Sequence, residues 1–273
     1  MVFDLASVPA YSGQPYAIVN DNKPYFTDAD LTAVSFETYS DLDSLGRCSV
    51  AYASVGKDLM PTEERGSIGQ VKPSGWHTIK YDNVDGKYLY NRCHLIGYQL
   101  TAENANEKNL ITGTRYLNVQ GMLPFENMTA DYVKETGNHV LYRVTPVFEG
   151  SNLVASGVLM EAESVEDKGE GILCCVYVYN VQLGININYA TGDSSASGTN
   201  KTAVTEQATQ AVTQAASRQT STESYILNTN TKKFHRPSCS SVKQMKESNK
   251  KSSSESRDAL IAAGYDPCKK CNP

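Results

Sequence analysis

Polar side chains are unusually dense between residues 90 and 128, where a structural core would not need them. The segments NRCHLIGYQL, NANEKNLITGTRYLN and MLPFENM supply a histidine, several side-chain amides and a carboxylate. Hydrolysis of a phosphodiester requires a base to activate water, a hard cation to neutralise the transition state, and a group that protonates the leaving oxygen. Because these residue types can supply all three functions, this stretch is the candidate catalytic site.

A second group of candidate ligands lies near the C-terminus. Three residues separate His235 from Cys239, and two separate Cys268 from Cys271. Paired ligands at these spacings are typical of a tetrahedral zinc site. The surrounding segment has few large apolar side chains, so we expect Zn²⁺ to be structural and its binding to be coupled to folding. Disulfide formation is the competing interpretation, although three cysteines cannot all pair among themselves.

A low-complexity stretch separates these two regions. Residues 194–223 contain no aromatic side chain and consist almost wholly of Ser, Thr, Ala, Gln and Gly, which is typical of a flexible linker, although the Ala- and Gln-rich centre could be partly helical. We therefore predict a first domain at residues 1–193 and a small second domain at residues 224–273.

The first domain is predicted to be an α+β fold. Apolar residues recur at helical spacing across residues 124–135, which indicates a helix that ends near Gly137. Three runs rich in β-forming residues follow, at residues 139–148, 153–165 and 172–181. Strands around few helices, without regular βαβ alternation, predict a mainly antiparallel sheet.

Shorter elements are also expected. Residues 16–19 and 24–26 flank the turn-forming sequence Asn-Asp-Asn and are predicted to form a hairpin. A further strand is expected at residues 49–55. In the second domain, residues 257–263 are predicted to form a helix that ends at Gly264.

Charge is distributed unevenly along the chain, which has a formal net charge of -5. From residue 224 onward there are ten basic and four acidic residues, so the tail is basic and the remainder acidic. A basic tail indicates nonspecific attraction to a polyanion, and a solvated lysine-rich surface is an equally good interpretation. The sequence contains no apolar stretch of about 18 residues, which is the length needed to span a bilayer. No basic-then-apolar segment opens the sequence, which could be a mature form.

The catalytic stretch resembles the DNA/RNA non-specific endonuclease family of the ββα-metal superfamily. The family's Asp-Arg-Gly-His motif, followed by a hydrophobic run, stands here as NRCHLIG at residues 91–97. The Asn of NLITGTRYLN, Asn118, and the Glu of PFEN, Glu126, follow in the family's order. The resemblance covers roughly residues 11–193 and implies a ββα-metal nuclease core that binds Mg²⁺ and acts on DNA and also on RNA.

The resemblance implies a role for each matching residue. His94 would be the general base, with its other ring nitrogen held by a backbone carbonyl. Asn118 would be the one direct protein ligand of Mg²⁺, and Glu126 would hold water from the ion's hydration shell. Arg92 could neutralise phosphate charge or form a structural salt bridge. Candidates for support or for substrate contact are Asn109 and Arg115.

Two positions depart from the family's motif. Asn91 stands in place of the usual Asp and cannot supply a negative charge, so activity or metal preference could differ from that of relatives. Cys93 stands in place of Gly and is expected to be a small packing residue, with a redox-sensitive thiol as the alternative. The adjacent Cys174 and Cys175 are expected to be buried on opposite faces of a strand.

The C-terminal segment resembles the zinc-binding domain of the Ada DNA-methyl-phosphotriester repair proteins, whose ligands are four cysteines. His235 stands at one of those positions, which argues against methyl transfer, so we interpret the segment as a DNA- or surface-binding accessory. The leading hypothesis for the whole chain is an endonuclease that leaves 5′-phosphate ends, acting outside the cell or at its surface. The alternatives are a nucleic-acid capture protein with a site degraded at Asn91 and, on cysteine count alone, a redox or metal-storage protein.

Overall fold

The computed structural model describes residues 3–197, 225–237, 239–243, 245–246, 249–253, 260 and 265–268. The chain divides into two compact units, Met1–Ala203 and Val204–Pro273. No helix in the described part of the chain combines the length and the hydropathy needed to cross a membrane.

In its described residues, 3–197, the first unit contains ten strands and two α-helices. In chain order these are β1 (Tyr16–Ile18), β2 (Phe36–Tyr39), β3 (Ala51–Val55), β4 (Tyr90–His94), α1 (Tyr98–Thr101), β5 (Leu110–Thr114), α2 (Leu123–Thr136), β6 (Val140–Val147), β7 (Gly157–Ser164), β8 (Leu173–Tyr179), β9 (Ile185–Ile187) and β10 (Ser194–Ala196). Six of the strands form one antiparallel sheet in the order β1-β8-β7-β6-β3-β2. The predicted α+β class with a mainly antiparallel sheet is therefore confirmed.

The two faces of this sheet bury separate apolar clusters. One face packs against α2 and the β4–β5 pair in the main core, and the other is covered by the N-terminal residues. Successive side chains of a strand point to opposite faces, so Cys174 lies in the main core while Cys175 lies in the second cluster. Both thiols are buried, as expected, and burial raises the pKa of each to about 12.

The ββα unit consists of β4, β5 and α2. Strands β4 and β5 pair antiparallel, with His94 opposite Leu110 and Cys93 opposite Ile111. The chain then makes a π-helical segment, Leu117–Met122, that runs directly into α2. Such segments are rare and occur often at functional sites. Because Gly113 has no Cβ, strand β5 lies directly against the side chain of Cys93.

A buried ion pair fastens the N-terminal segment to the sheet. Glu161 of β7 is 1% exposed and accepts two hydrogen bonds from Arg143 of β6, at 2.7 and 2.8 Å. Its Oε1 also accepts from the backbone N–H of Tyr25 at 2.8 Å. The Arg143 guanidinium lies 4.7 Å from the ring centre of Phe26. The segment around residues 25 and 26 is therefore bound through charge and ring contacts and not through strand pairing.

Several predicted elements are confirmed and two are corrected. The helix predicted at 124–135 is α2, which ends at Gly137 in the left-handed region, where φ is 75°, and the three β-rich runs are β6, β7 and β8. The hairpin is wrong, because β1 pairs with β8 and the Asn-Asp-Asn turn leads into residues that bond to Glu161. Residues 194–196, which were predicted to begin the linker, instead form a strand, because Ser194–Ala196 pairs with Ile185–Ile187.

The second unit is built on a four-stranded sheet. Its elements are β11 (Tyr225–Asn228), β12 (Lys233–His235), α3 (Ser240–Lys243), β13 (Lys250–Ser253) and β14 (Asp266–Pro267), with strand order β13-β11-β12-β14. Tyr225, Leu227, Phe234 and Leu260 form its small core. The remaining predicted linker, the predicted helix at 257–263 and its end at Gly264 lie outside the described residues, apart from Leu260.

The ion pair generates a stability prediction. We expect Glu161→Ala to lower the free energy of unfolding by about 3 kcal/mol, because it leaves the Arg143 guanidinium half-buried without its partner. Asp82→Ala is the control, since it breaks the solvent-exposed pair between Asp82 and Lys87 and should leave the unfolding midpoint unchanged. Chemical denaturation measures both, and equal midpoints for the two variants would contradict the prediction.

Candidate active site

A cavity of about 810 Å³ opens beside β4 and the start of α2. Six of the seven residues predicted for the catalytic region line it, namely Asn91, Arg92, His94, Arg115, Asn118 and Glu126. The β4–β5 pair positions His94, the π-helical segment carries Asn118, and α2 carries Glu126. Residues scattered over 36 positions of the sequence are thus brought to one concave surface.

His94 ends strand β4 with its ring in a fixed orientation. The ring is 6% exposed, and Nε2 lies 2.7 Å from the backbone oxygen of Asn104. A carbonyl only accepts hydrogen bonds, so Nε2 must carry the proton, and Nδ1 then keeps the lone pair. Burial lowers the pKa of His94 to about 4, the Asn104 carbonyl opposes this shift, and the charge of Arg65 adds to it. The neutral ring is therefore the resting form at pH 7.

Asn109 supports this orientation of His94 by binding the backbone that follows it. Its amide accepts from the backbone N–H of Ile96 at 2.9 Å and donates to the Ile96 carbonyl at 3.0 Å. The side chain is completely buried and does not line the cavity. The substrate-binding assignment of Asn109 is therefore corrected to a supporting one, because both ends of the amide are occupied by the chain that follows His94.

Asn118 presents an oxygen to the cavity. Its Nδ2 donates to Oδ1 of Asn91 at 3.4 Å, so the amide oxygen lies on the other side of the group. Within the described residues, no hydrogen bond occupies that oxygen. Asn91 therefore accepts a hydrogen bond here, as an Asp carboxylate at this position also would, but it lacks the negative charge of the usual Asp. A hard cation such as Mg²⁺ takes oxygen ligands, and the exposed amide oxygen fits this requirement.

Arg115 and Arg92 are both held by the protein. Arg115 donates from Nε and Nη2 to Asp85 at 3.0 and 2.9 Å, and Nη1 lies 3.4 Å from Oδ1 of Asn91. Arg92 donates from Nε to the Val71 carbonyl and from Nη2 to the Gly69 carbonyl. Arg92 pairs with no carboxylate in the described part of the chain. It is held there by hydrogen bonds to the backbone of a loop and not by a salt bridge.

Glu126 is partly buried at the edge of the cavity. Burial raises the pKa of its carboxyl to about 7, and a hydrogen bond from Gln99 and the charge of Arg65 both oppose this rise. A Cβ at Gly97 would come within 2.6 Å of Glu126 Oε2. The start of α1 is thus in contact with the carboxyl group, which the absence of a side chain at Gly97 makes possible.

Sequence analysis did not identify Arg65. This residue lies in an exposed loop, yet its Nη2 is 3.4 Å from Nδ1 of His94, and its side chain lines the cavity. Arg65 precedes the motif by 26 positions and has no periodic or paired neighbours that would mark it. Only the folded loop reveals its place beside the imidazole.

The other candidate thiols and imidazoles have structural surroundings. Cys93 is completely buried, and burial raises the pKa of its thiol well above the ordinary range, which supports the packing role. His77 contacts the Thr191 carbonyl at 3.1 Å, and His139 contacts Glu166 at 2.7 Å. Neither histidine lines the cavity.

A separate group of possible metal ligands lies in the second unit. The ligand atoms of His235, Cys239 and Cys268 are within 4.8 Å of one another, and all three residues are buried. Nδ1 of His235 is buried and has no hydrogen-bond partner among the residues that the structure describes. One imidazole and two sulfurs suit Zn²⁺, and the fourth predicted ligand, Cys271, lies outside the described residues.

Comparisons with known proteins agree with this geometry. The DNA/RNA non-specific endonuclease family model matches residues 28–166. NucA from Streptococcus agalactiae with magnesium ion bound is 24% identical, with a TM-score of 0.61, over 70% of this chain and 91% of that chain. Sda1 nuclease with bound zinc ion is 32% identical, with a TM-score of 0.51, over 60% of this chain and 81% of that chain.

None of the curated proteins matches the chain. The family model nevertheless spans half of the sequence and includes the motif that carries His94, Asn118 and Glu126. The chain belongs to the DNA/RNA non-specific endonuclease family and is a nuclease.

Proposed function

We propose that the chain is a Mg²⁺-dependent endonuclease that hydrolyses DNA and RNA without sequence preference and leaves 5′-phosphate ends. The observation that carries this proposal is the common opening of two groups onto one cavity. These are the lone pair of His94 Nδ1 and the amide oxygen of Asn118. His94 Nδ1, which lies 3.4 Å from Arg65 Nη2, can take a proton, while the amide oxygen of Asn118 can hold a cation.

His94 is the proposed general base. Its Nδ1 takes a proton from water as the water oxygen attacks phosphorus, and Nε2–H keeps its bond to the Asn104 carbonyl throughout. The positive charge that forms on the ring is then stabilised by that carbonyl. Because a base is most effective when its pKa lies near the working pH, we expect the negative charge of bound substrate to raise the pKa of His94 from its low resting value.

Asn118 and Glu126 are the proposed residues for Mg²⁺. Asn118 would bind the ion through its amide oxygen, and Glu126 would accept hydrogen bonds from water in the ion's hydration shell. The bound ion would supply charge neutralisation at the phosphate and at the leaving oxygen. A nearby cation also favours the ionised form of the Glu126 carboxyl, which burial alone disfavours.

Arg65 and Arg115 are the proposed phosphate contacts. Both guanidinium groups line the cavity, and both address charge that is the same on every nucleotide. Sequence preference is therefore expected to be low. Departure of the 3′ oxygen leaves the phosphate on the 5′ end, and no step uses a 2′-hydroxyl, so RNA is as suitable as DNA.

The second unit is proposed to be a zinc-stabilised accessory. His235, Cys239 and Cys268 would bind Zn²⁺ with Cys271 as the fourth ligand, and the basic residues of the tail would attract nucleic acid. We retain the proposed division into a nuclease domain, a linker that follows Ala196, and this accessory. On the family resemblance we also propose that the protein acts outside the cell or at its surface.

Removal of the general base generates the first test of the site. Plasmid cleavage with Mg²⁺ is expected to fall about 10²- to 10⁴-fold in His94→Ala. His77→Ala, which removes an imidazole outside the cavity, is the control and should cleave normally. Thermal unfolding checks that both variants fold. Cleavage at the unmodified rate by folded His94→Ala would refute the assignment, and an inactive unmodified protein would favour the capture alternative.

Removal of the nearby positive charge tests how His94 is held neutral. The charge of Arg65 lowers the pKa of His94, so Arg65→Gln should raise that pKa. Because the base must be unprotonated, the acidic limb of kcat/KM should then move to higher pH. Arg65→Lys keeps the charge and should keep the limb near its original position. Rate profiles against pH measure the effect, and superimposable limbs for the two variants would contradict it.

Metal analysis tests the accessory independently of catalysis. The full chain is expected to contain one equivalent of Zn²⁺, which Cys268→Ser should lose while plasmid cleavage continues. Cys48→Ser is the matched control, because the Cys48 thiol donates to backbone carbonyls in the first unit and a hydroxyl can replace it. Retention of a full equivalent of Zn²⁺ by Cys268→Ser would show that the site lies elsewhere.

A further inference from the structure

The face of the strand that carries His94 continues past the proposed site of cleavage. Side chains two residues apart share one face of a strand. Tyr90, Arg92 and His94 of β4 line the cavity, and Tyr88, which lies two residues before the strand, lines it as well. An extended chain rises about 3.3 Å per residue, so Tyr88 lies at most about 20 Å from His94 along this face. The surface is long enough to contact nucleotides beyond the one that is cut.

Tyr88 is the exposed aromatic residue of this face. Its side chain is 46% exposed at the border of the cavity that also holds His94 and Asn118. The Lys80 ammonium lies 4.5 Å from the ring centre, and the backbones of the two residues form an antiparallel bridge. The ring is thus held from one side by a cation on a paired segment, and a large apolar surface remains open.

The neighbouring aromatic residues are already engaged in the fold. Tyr90 is 3% exposed, and its hydroxyl donates to the Gly192 carbonyl at 2.9 Å. Trp76 lies under the Arg92 guanidinium at 4.0 Å and packs against the small core around Leu89. Tyr98 also lines the cavity, but it is partly buried and its hydroxyl donates to the Glu63 carbonyl at 2.9 Å, so Tyr88 is the most exposed of the rings described in this lining.

An exposed ring beside a cation matches the chemistry of a single nucleic-acid strand. Nucleobases stack on aromatic side chains, and the adjacent phosphates are attracted to positive charge. In a duplex the faces of the bases are stacked on one another, so a protein ring reaches them only where the strand is unpaired.

We propose that Tyr88 and Lys80 form a subsite that stacks an unpaired base of the strand bound at His94, so that single-stranded nucleic acid is bound and cut in preference to duplex. This inference rests on the proposed function for the position of the strand. It adds a base-stacking contact to a site whose other proposed contacts address phosphate, and it selects strand state and not sequence.

Binding measurements on the full chain test the subsite without requiring cleavage. Three proteins are compared, all carrying His94→Ala: one that keeps Tyr88, one with Tyr88→Ala and one with Tyr88→Phe. Each is titrated, with Mg²⁺ present, against a fluorescent single-stranded oligonucleotide and against its duplex. We expect Tyr88→Ala to weaken single-strand binding about tenfold, equivalent to about 1.4 kcal/mol. Duplex binding should change less than about twofold, and Tyr88→Phe should behave as the parent because it keeps the ring.

The controls separate stacking from a loss of structure. Tyr16→Ala removes a similarly exposed ring outside the cavity and should bind both substrates normally. If Tyr88→Ala does not fold by thermal unfolding, Tyr88→Leu replaces it, because leucine fills space without an aromatic face. Equal losses on the two substrates, no loss on either, or a loss in Tyr88→Phe would overturn the subsite. If the unmodified protein does not cleave, the proposed function is overturned. The binding comparison would still decide whether Tyr88 stacks an unpaired base.

Discussion

The site depends on the hydrogen bond from His94 Nε2 to the backbone oxygen of Asn104. That bond chooses which ring nitrogen carries the proton and therefore which nitrogen can accept one. It persists because the chain on both sides is fixed: β4 pairs with β5, and the buried amide of Asn109 binds the backbone of Ile96. The fold therefore fixes the orientation of the ring and the nitrogen that keeps the lone pair.

Burial also determines the charge of the free site. It lowers the pKa of His94 to about 4 and raises that of the Glu126 carboxyl to about 7, so near pH 7 the imidazole is neutral and the carboxyl is only partly ionised. Three guanidinium groups and one carboxyl line this cavity, in a chain whose net charge is negative. Phosphate and a divalent ion would each supply the charge that stabilises the ionised partner, which would couple their binding to the active protonation states.

Sequence analysis could predict the fold class and most of the candidate site because local signals were strong. The helical spacing ending at Gly137 and the motif around His94 both lie in short, contiguous stretches. The hairpin prediction was wrong because β1 has a partner more than 150 residues away, which a local turn signal does not encode. Arg65 was missed for the same reason, since a loop brings it to His94. Asn109 was assigned to substrate because burial is not visible in an amide's residue type.

Gly97 limits how this enzyme can change. It precedes α1 and lies against the Glu126 carboxyl, and its backbone is extended, with φ -60° and ψ 144°, so the local chain conformation would accept any L-residue. The restriction comes from the Glu126 carboxyl, which occupies the space that a side chain at residue 97 would need. A substitution at this position would keep a normal helix start and a stable protein, but the new side chain would displace the Glu126 carboxylate. Selection against such substitutions would therefore act on catalysis and not on folding.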